Sequence, residues 1–302
     1  MLTMSEISLD RKISKKCNET IVVSGSARSG TTILAKIIHS FKDVELLIEP
    51  PMLFSMFATI SSIDEKYWRL LYETYLYEEF LINALSGRSI NCNYLDDSSI
   101  YKVKSQELIE KRLNRSLRKT EAENMVQKCT IAYKMPDIVP FLPKLQDYYP
   151  GTKFIIMLRE APDVFNSLLE KKWFSDKSLN EENLIWPSYF VNQKRVPSWV
   201  NINDREEWIE MDELHRIAYY YIRVSEPVER LSGSIRVKYS ELVKHPETTV
   251  KRVAEKLTLV WGEKTDEIIR TIKRRRKDVD RNIINKLKSP LREQVEYYSS
   301  IS

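Results

Sequence analysis

The sequence is poor in cysteine, and its few cysteines are scattered. The 302 residues contain three of them, Cys17, Cys92 and Cys129, and none forms a C-x-x-C pair with another. A disulfide framework and a cysteine-based zinc site are therefore both disfavoured. This cysteine usage is typical of a protein from a reducing compartment.

Long apolar runs are also absent. No run approaches the ~20 residues that a membrane span needs, and the N-terminal residues alternate polar and charged types without an apolar signal region. We therefore expect no membrane span and a cytoplasmic location. The net charge of +5 is mild, so the composition does not demand a nucleic-acid partner.

Linkers and internal repeats are absent as well. No stretch rich in Gly and Ser or in Pro divides the chain, so we expect one domain over residues 1–302, large enough to bury roughly three quarters of its unfolded surface. Within it we expect a polar, frayed arm (1–18), a helical insertion (52–128) and a basic, helical tail (263–302). Nothing in the sequence specifies an oligomeric state.

Strand and helix patterns alternate along the chain. Short apolar, β-branched runs predict strands at residues 20–23, 44–48, 130–133, 153–158 and 234–238. Helices are expected between them, including 65–85, 105–126 and 205–231, whereas 172–204 reads as a long loop. The alternation predicts an α/β fold with a central parallel sheet of about five strands, flanked by helices and carrying the helical insertion.

The first strand is followed by a loop of small residues and a helix. Gly25 and Gly30 have the spacing of the nucleotide-triphosphate P-loop, but Thr31 stands where that motif has lysine, and Arg28 supplies a cation from within the loop. The loop N–H groups and the helix dipole favour an anion there. A tight turn without a ligand is the alternative.

Each later strand ends in a polar or ionisable residue, and these are Glu49, Lys134, Arg159 and Tyr239. In open α/β sheets, ligands bind outside the carboxyl ends of the strands. A charged cleft is therefore expected, with Arg159 and Ser167 as a second anion site. Their alternative is a surface arginine and an ordinary helix serine.

These motifs together resemble the sulfotransferases that use 3′-phosphoadenosine 5′-phosphosulfate (PAPS). The segments are residues 24–32, 154–167 and 237–246, and the resemblance covers roughly residues 20–50 and 130–260. It implies that the first loop holds the 5′-phosphosulfate, that Arg159 and Ser167 hold the 3′-phosphate, and that Tyr239 lies near the adenine. The implied loop residues are Arg28, Ser29, Gly30, Thr31 and Thr32.

The resemblance also implies a catalytic base. One branch of the family has a lysine with a histidine two residues later. Lys134 matches that lysine, but Pro136 occupies the position of the histidine here. The branch of protein-tyrosine and carbohydrate sulfotransferases uses a glutamate after the second strand, which matches Glu49. Glu49 is therefore expected to be the base, with Lys134 and Arg28 stabilising the transferred group. The alternatives are a carboxylate that only pairs with Arg28 or Lys134, a surface Lys134, and Glu45 as base.

The resemblance implies transfer of a sulfuryl group from PAPS to a hydroxyl or amine, with release of adenosine 3′,5′-bisphosphate and without a metal. A carbohydrate or small-molecule acceptor is favoured over a peptide tyrosine because no secretory signal is seen, and residues 52–128 are where its pocket would be built. A small-molecule P-loop kinase and a non-catalytic nucleotide-binding protein remain the alternatives.

Three further features receive a structural interpretation. His39, His215 and His245 show no catalytic pattern, and the aromatic stretches at 67–80 and 173–199 are typical of a core. The basic run at 273–277, which begins with Lys273, is either a solvated face or a segment that folds over the 3′-phosphate.

Overall fold

A parallel sheet forms the centre of the protein. The computed structural model describes residues 7–114, 117–180, 187–273 and 279–302. Within these ranges the strands are β1 Ile21–Gly25, β2 Val44–Ile48, β3 Thr130–Lys134, β4 Lys153–Leu158, β5 Ser188–Val191, β6 Lys194–Pro197 and β7 Ile235–Lys238. Five of them pair in the order β2-β3-β1-β4-β7, and each pairing is parallel. The predicted fold class is confirmed.

Helices cover both faces of the sheet. In the described ranges they are α1 Arg11–Asn18, α2 Thr31–Ser40, α3 Pro51–Ala58, α4 Glu65–Thr74, α5 Asn83–Leu85, α6 Gln106–Leu113, α7 Lys119–Val126, α8 Leu142–Tyr148, α9 Ala161–Lys171, α10 Asp176–Asn180, α11 Arg205–Glu210, α12 Glu213–Ser225, α13 Tyr239–Lys244, α14 Pro246–Leu257, α15 Thr265–Arg270 and α16 Leu291–Ser300. A π-helical segment, Tyr75–Ile82, joins α4 to α5.

The sheet is buried on both sides. Along β1, Val22 packs into one hydrophobic cluster, whereas Ile21 and Val23 pack into the other. Alternate side chains of a strand point to opposite faces, and a parallel sheet covered on both faces reads as a continuous apolar run. This is why the strands could be recognised from short apolar segments.

The insertion contributes to the core on one side of the sheet. Trp68 stacks on Tyr72 at 4.9 Å between ring centroids, and the Tyr72 hydroxyl lies 3.0 Å from that of Tyr133 on β3. All three side chains are fully buried. The interpretation of this aromatic stretch as core is correct for these residues.

The N-terminal arm differs from the expectation. Residues 11–18 form α1 instead of a frayed segment, and Asp10 caps the helix by accepting a hydrogen bond from the Lys12 N–H at 2.8 Å. Cys17 is fully buried in the main core. Ile13 packs on the same core, and Ser14 donates to Glu73 at 2.8 Å, so these contacts hold the helix although its mostly charged sequence predicts an arm.

In three longer segments the helices and strands also differ from those predicted from the sequence. The expected loop at 172–204 contains α10 and an antiparallel hairpin formed by β5 and β6. The expected helix at 205–231 is broken into α11 and α12, because Asp212 caps α12 by accepting from the His215 N–H at 2.9 Å. The expected helix at 105–126 is two helices, α6 and α7.

Candidate active site

One cavity lies along the edge of the sheet at which the five parallel strands end. Its volume is about 740 Å³, within the range of roughly 300–1,000 Å³ that small-molecule sites occupy. We call it the strand-end cavity. The predicted site residues that line it are Arg28, Gly30, Thr31, Thr32, Glu49, Lys134, Arg159 and Tyr239.

The loop between β1 and α2 forms one wall of the cavity. Gly30 has φ +98°, and a Cβ at this position would lie 2.6 Å from Cδ2 of Tyr239, so glycine lets the tyrosine ring pack against the loop. Helix α2 begins at Thr31, and no side chain of the described residues caps it. Its first N–H groups therefore lack helical acceptors and, with the helix dipole, favour an anion.

Arg28 and Arg159 meet in the same crevice. Arg159 Nη1 donates to the carbonyl oxygen of Arg28 at 2.6 Å, and Arg28 Nε donates to Ser167 Oγ at 3.0 Å. The Arg159 guanidinium also lies 4.4 Å from the centroid of the Tyr239 ring and pairs with Asp163 at 3.6 Å. The two cations, the serine and the tyrosine thus form one contiguous group.

Lys134 and Glu49 form an ion pair inside the cavity. The Lys134 residue is 3% exposed, which excludes a surface lysine, whereas the Glu49 side chain is 38% exposed. Glu49 has φ +50°, and its N–H donates to the Lys134 carbonyl at 2.9 Å. The backbone therefore turns at the end of β2 and holds both charges at neighbouring strand ends.

Glu45 does not reach the cavity. It is 2% exposed and accepts two hydrogen bonds from Arg112 of α6, at 2.5 and 3.0 Å. Burial alone would raise the pKa of the Glu45 carboxyl, but His39 and the Arg112 guanidinium outweigh it and hold that pKa well below its usual range. Glu45 is therefore a buried ion-pair partner and has no access to an acceptor in the cavity.

The comparisons with known proteins identify the family. A family model described as "Sulfotransferase family" matches residues 20–263. The chain belongs to the sulfotransferase family. A Caenorhabditis briggsae protein, provisionally named a protein-tyrosine sulfotransferase, is 26% identical over 154 residues, or 51% of this chain and 44% of that protein. The match spans less than half the length of that relative.

Two solved structures are similar to this sulfotransferase. The sulfotransferase domain of the Synechococcus PCC 7002 olefin synthase has a TM-score of 0.48 and 12% identity, with 93% of each chain covered. The sulfotransferase domain from the curacin biosynthetic pathway has a TM-score of 0.46 and 14% identity, with 93% of this chain and 96% of that chain covered. The family match confirms the expected sulfotransferase family.

One predicted loop residue of the sulfotransferase lies outside the cavity wall. Ser29 is fully buried; its hydroxyl donates to the Ser26 carbonyl at 2.6 Å, and its N–H donates to the same oxygen at 3.2 Å. Both of its donors are thus used within the loop. Its hydroxyl shapes the turn and does not line the cavity. A contact of Ser29 with the donor stays a prediction.

Two residues of the cavity region escaped the sequence reasoning. Asp137, three residues after Lys134, lines the cavity while only 4% exposed. Its carboxylate accepts a hydrogen bond from Tyr220, which is fully buried on α12. The position of Asp137, three residues after the end of β3, could have indicated that it lies at the cavity. Tyr220 is brought there only by the tertiary fold.

One aromatic segment and one basic segment border the cavity. Trp173, 37% exposed, lines it with its ring 5.8 Å from the Arg28 guanidinium carbon, so part of the second aromatic stretch faces the cavity instead of the core. Lys273 also lines it. The rest of the predicted basic run, 274–277, and Trp186 lie outside the described residues.

The described residues also bear on membrane insertion and metal binding. Among the residues that the structure describes, no helix combines the length and the apolar character needed to cross a membrane. The same part of the chain contains no group of three His, Cys, Asp or Glu side chains that could hold a metal ion.

Proposed function

We propose that this sulfotransferase transfers the sulfuryl group of PAPS to an acceptor hydroxyl or amine and releases adenosine 3′,5′-bisphosphate. The observation that carries the proposal is the direct contact of Arg28 with both Arg159 and Ser167 at the N-terminus of α2. Two anion-binding groups that share one crevice suit a nucleoside with phosphates on its 3′ and 5′ positions.

The donor would be held from both ends. The loop N–H groups and Arg28 would bind the 5′-phosphosulfate, and Arg159 with Ser167 would bind the 3′-phosphate. Arg159 Nε is buried and has no hydrogen-bond acceptor among the described residues, so it has a donor to offer an anion. Tyr239, which packs on Gly30 and under Arg159, would lie beside the adenine.

Glu49 and Lys134 would carry out the transfer. A sulfonate oxygen competes with Glu49 for the Lys134 ammonium, which leaves the Glu49 carboxylate to take the proton of the acceptor. The bond between the acceptor atom and sulfur forms while the bond between sulfur and the 5′-phosphate oxygen breaks. Lys134 and Arg28 stabilise the negative charge on the sulfonate and the leaving phosphate, so positioning and electrostatics supply most of the catalysis.

The proposed acceptor is a carbohydrate or small-molecule hydroxyl or amine, on the reasoning from sequence. A peptide tyrosine is the second candidate, because the C. briggsae relative carries that name. Purified enzyme with labelled PAPS, offered sugars, phenols and tyrosine peptides side by side, separates the two. Label transfer only to tyrosine peptides would overturn the first candidate.

Binding of adenosine 3′,5′-bisphosphate tests the donor. At 100 times its dissociation constant the bisphosphate should add about 2.7 kcal/mol of stability, a rise of several degrees in Tm for a chain of this size. ATP with Mg²⁺ should add less. Stabilisation by ATP with Mg²⁺ alone would favour a kinase and contradict the proposal.

Glu49→Gln and Lys134→Ala test the chemical roles. Each should lower kcat by about 100-fold or more, as expected for general-base and charge-stabilising groups, while the bisphosphate still binds. Glu247→Gln, at an exposed carboxylate on α14, is the matched control and should be neutral. Near-full turnover by either active-site variant would refute that residue's role.

A further inference from the structure

A buried tyrosine connects the loop between β1 and α2 (residues 26–30), which we call the anion loop, to a carboxylate of the cavity wall. The Ala27 N–H donates to the Tyr220 hydroxyl oxygen at 2.5 Å, and the Tyr220 hydroxyl donates to Asp137 Oδ1. Tyr220 lies 193 residues from Ala27 along the chain. The contact is therefore a property of the tertiary fold and not of the loop motif.

The chemical environment fixes the direction of both hydrogen bonds. Burial, together with the Asp137 carboxylate, raises the pKa of Tyr220 well above its usual value, so the hydroxyl keeps its proton. A backbone N–H can only donate, and a carboxylate can only accept. Donation to a carboxylate also makes the tyrosine oxygen a better acceptor for Ala27.

Packing holds the tyrosine rigidly in place. Its ring lies 5.1 Å from that of Phe174 and 5.2 Å from that of Trp199, measured between centroids. Asp137 has φ +71°, and its N–H donates to the Gly25 carbonyl at 3.4 Å. Both ends of the connection are thus built into ordered structure.

The hydrogen bond between Ala27 and Tyr220 restrains Arg28, the next residue of the loop. Arg28 adopts φ +68°, a left-handed conformation that is unfavourable for arginine. Its backbone is held on the N-terminal side by Tyr220 through Ala27 and on the C-terminal side by Arg159, which donates to the Arg28 carbonyl at 2.6 Å. These two restraints direct the Arg28 side chain to Ser167.

We infer that Tyr220 and Asp137 are positioning residues that hold the anion loop in its binding conformation before the donor arrives. The inference rests on the proposed donor. Without the hydroxyl of Tyr220, the Ser26–Ala27 peptide that leads into Arg28 loses its hydrogen-bond acceptor and relaxes in the free enzyme, and donor binding has to order it again. The donor then binds more weakly although every group that contacts it is still present.

Calorimetric titration with adenosine 3′,5′-bisphosphate tests the inference. Tyr220→Phe should bind it about 10-fold more weakly, since two coupled hydrogen bonds are lost. The KM for PAPS should rise by a similar factor while kcat changes by less than about threefold, because the loss is in binding and not in the chemical step. Unchanged binding and an unchanged KM in Tyr220→Phe would overturn the inference.

The neighbouring tyrosine provides a matched control. Tyr219 accepts from the Asn201 N–H at 3.1 Å and donates to Asp204 Oδ2 at 2.6 Å, the same order of groups at a second cavity, formed by α12 and α16. Tyr219→Phe should lower Tm and leave bisphosphate binding unchanged. If both variants bind the bisphosphate equally weakly, the effect of Tyr220→Phe follows from lower overall stability and not from the lost contact with the loop. That result would overturn the inference.

Substitutions of Asp137 keep the test valid if Tyr220→Phe does not fold. Asp137→Asn retains an acceptor for the tyrosine hydroxyl and should bind within about threefold of wild type. Asp137→Ala removes that acceptor, so the hydroxyl is no longer held toward Ala27 and this variant should bind more weakly than the Asn variant. Equal binding by the Asn and Ala variants would overturn the inference. A wild-type enzyme that does not bind the bisphosphate would overturn the proposed donor as well, which distinguishes the two failures.

Discussion

The ion pair between Glu45 and Arg112 gives a prediction about stability. Glu45 lies on β2, at the edge of the sheet, and Arg112 lies on α6 of the insertion; they are 2% and 7% exposed and share two hydrogen bonds. Arg112→Met keeps most of the apolar stem but leaves the Glu45 carboxylate buried without its main partner. Breaking a buried pair in this way costs about 3–5 kcal/mol.

Thermal unfolding measures the effect. At roughly 1.6 °C per kcal/mol for a chain of 302 residues, Arg112→Met should lower Tm by about 5–8 °C. The pair Lys251–Glu247 is the control, since it is short (2.6 Å) but exposed. Lys251→Met should change stability by less than about 1 kcal/mol, because exposed pairs contribute little.

A double variant tests whether the lost stability comes from the unpaired charge. Glu45→Leu combined with Arg112→Met removes both charges and should lose less stability than Arg112→Met alone, because the Glu45 carboxylate is no longer buried without its guanidinium partner. Lys104, buried nearby, keeps its hydrogen bonds to the Phe41 and Val44 carbonyls. A Tm for Arg112→Met within the range of the exposed control, or a double variant that loses as much stability as Arg112→Met alone, would refute the reasoning.

Three further predictions concern the loop and the core. Gly30→Ala should abolish bisphosphate binding in titration calorimetry, because its Cβ would clash with Tyr239 at 2.6 Å and φ is +98°; wild-type affinity would contradict this. Ser29→Ala should bind the bisphosphate like wild type but unfold at a lower temperature, since the Ser26 carbonyl is the one partner of its hydroxyl among the described residues; weakened binding with unchanged Tm would show the opposite role. Burial lowers the pKa of His39, so below about pH 6.5 the unfolded chain binds a proton that the folded chain does not, and stability falls as pH decreases from 7 to 5. His39→Gln should flatten this slope in urea unfolding curves, and an unchanged slope would assign the effect to other groups.

The sheet and its charged edge could be predicted because both follow from local pattern. Each central strand is a short apolar run, and parallel strands bring the residues after them to one edge, so Glu49, Lys134 and Arg159 were found without knowledge of the contacts between them. The side-chain partners are different. That Glu49 pairs with Lys134, and that Ser29 turns inward, depends on atomic geometry that no period or spacing contains.

The three consecutive tyrosines of α12 illustrate the limit. Neighbouring positions on a helix point about 100° apart, so Tyr219 bonds Asp204, Tyr220 bonds Asp137, and Tyr221 donates to the Arg159 carbonyl at 3.0 Å. Their sequence context is nearly identical, and the fold alone decides which hydroxyl reaches the anion loop.

Backbone conformation adds a signal that sequence does not carry. Arg28, Glu49 and Asp137 each have φ between +50° and +71°, and all three line the strand-end cavity. Non-glycine residues in this region are uncommon and are unfavourable by about 1 kcal/mol or more each. A fold retains several such turns in one place only when neighbouring contacts hold them. Here those contacts are the bonds from Glu49 to the Lys134 carbonyl, from Ala27 to Tyr220, and from Arg159 to the Arg28 carbonyl. The same bonds that compensate for the strain therefore set the direction of the side chains that we propose to bind the donor and take the acceptor proton.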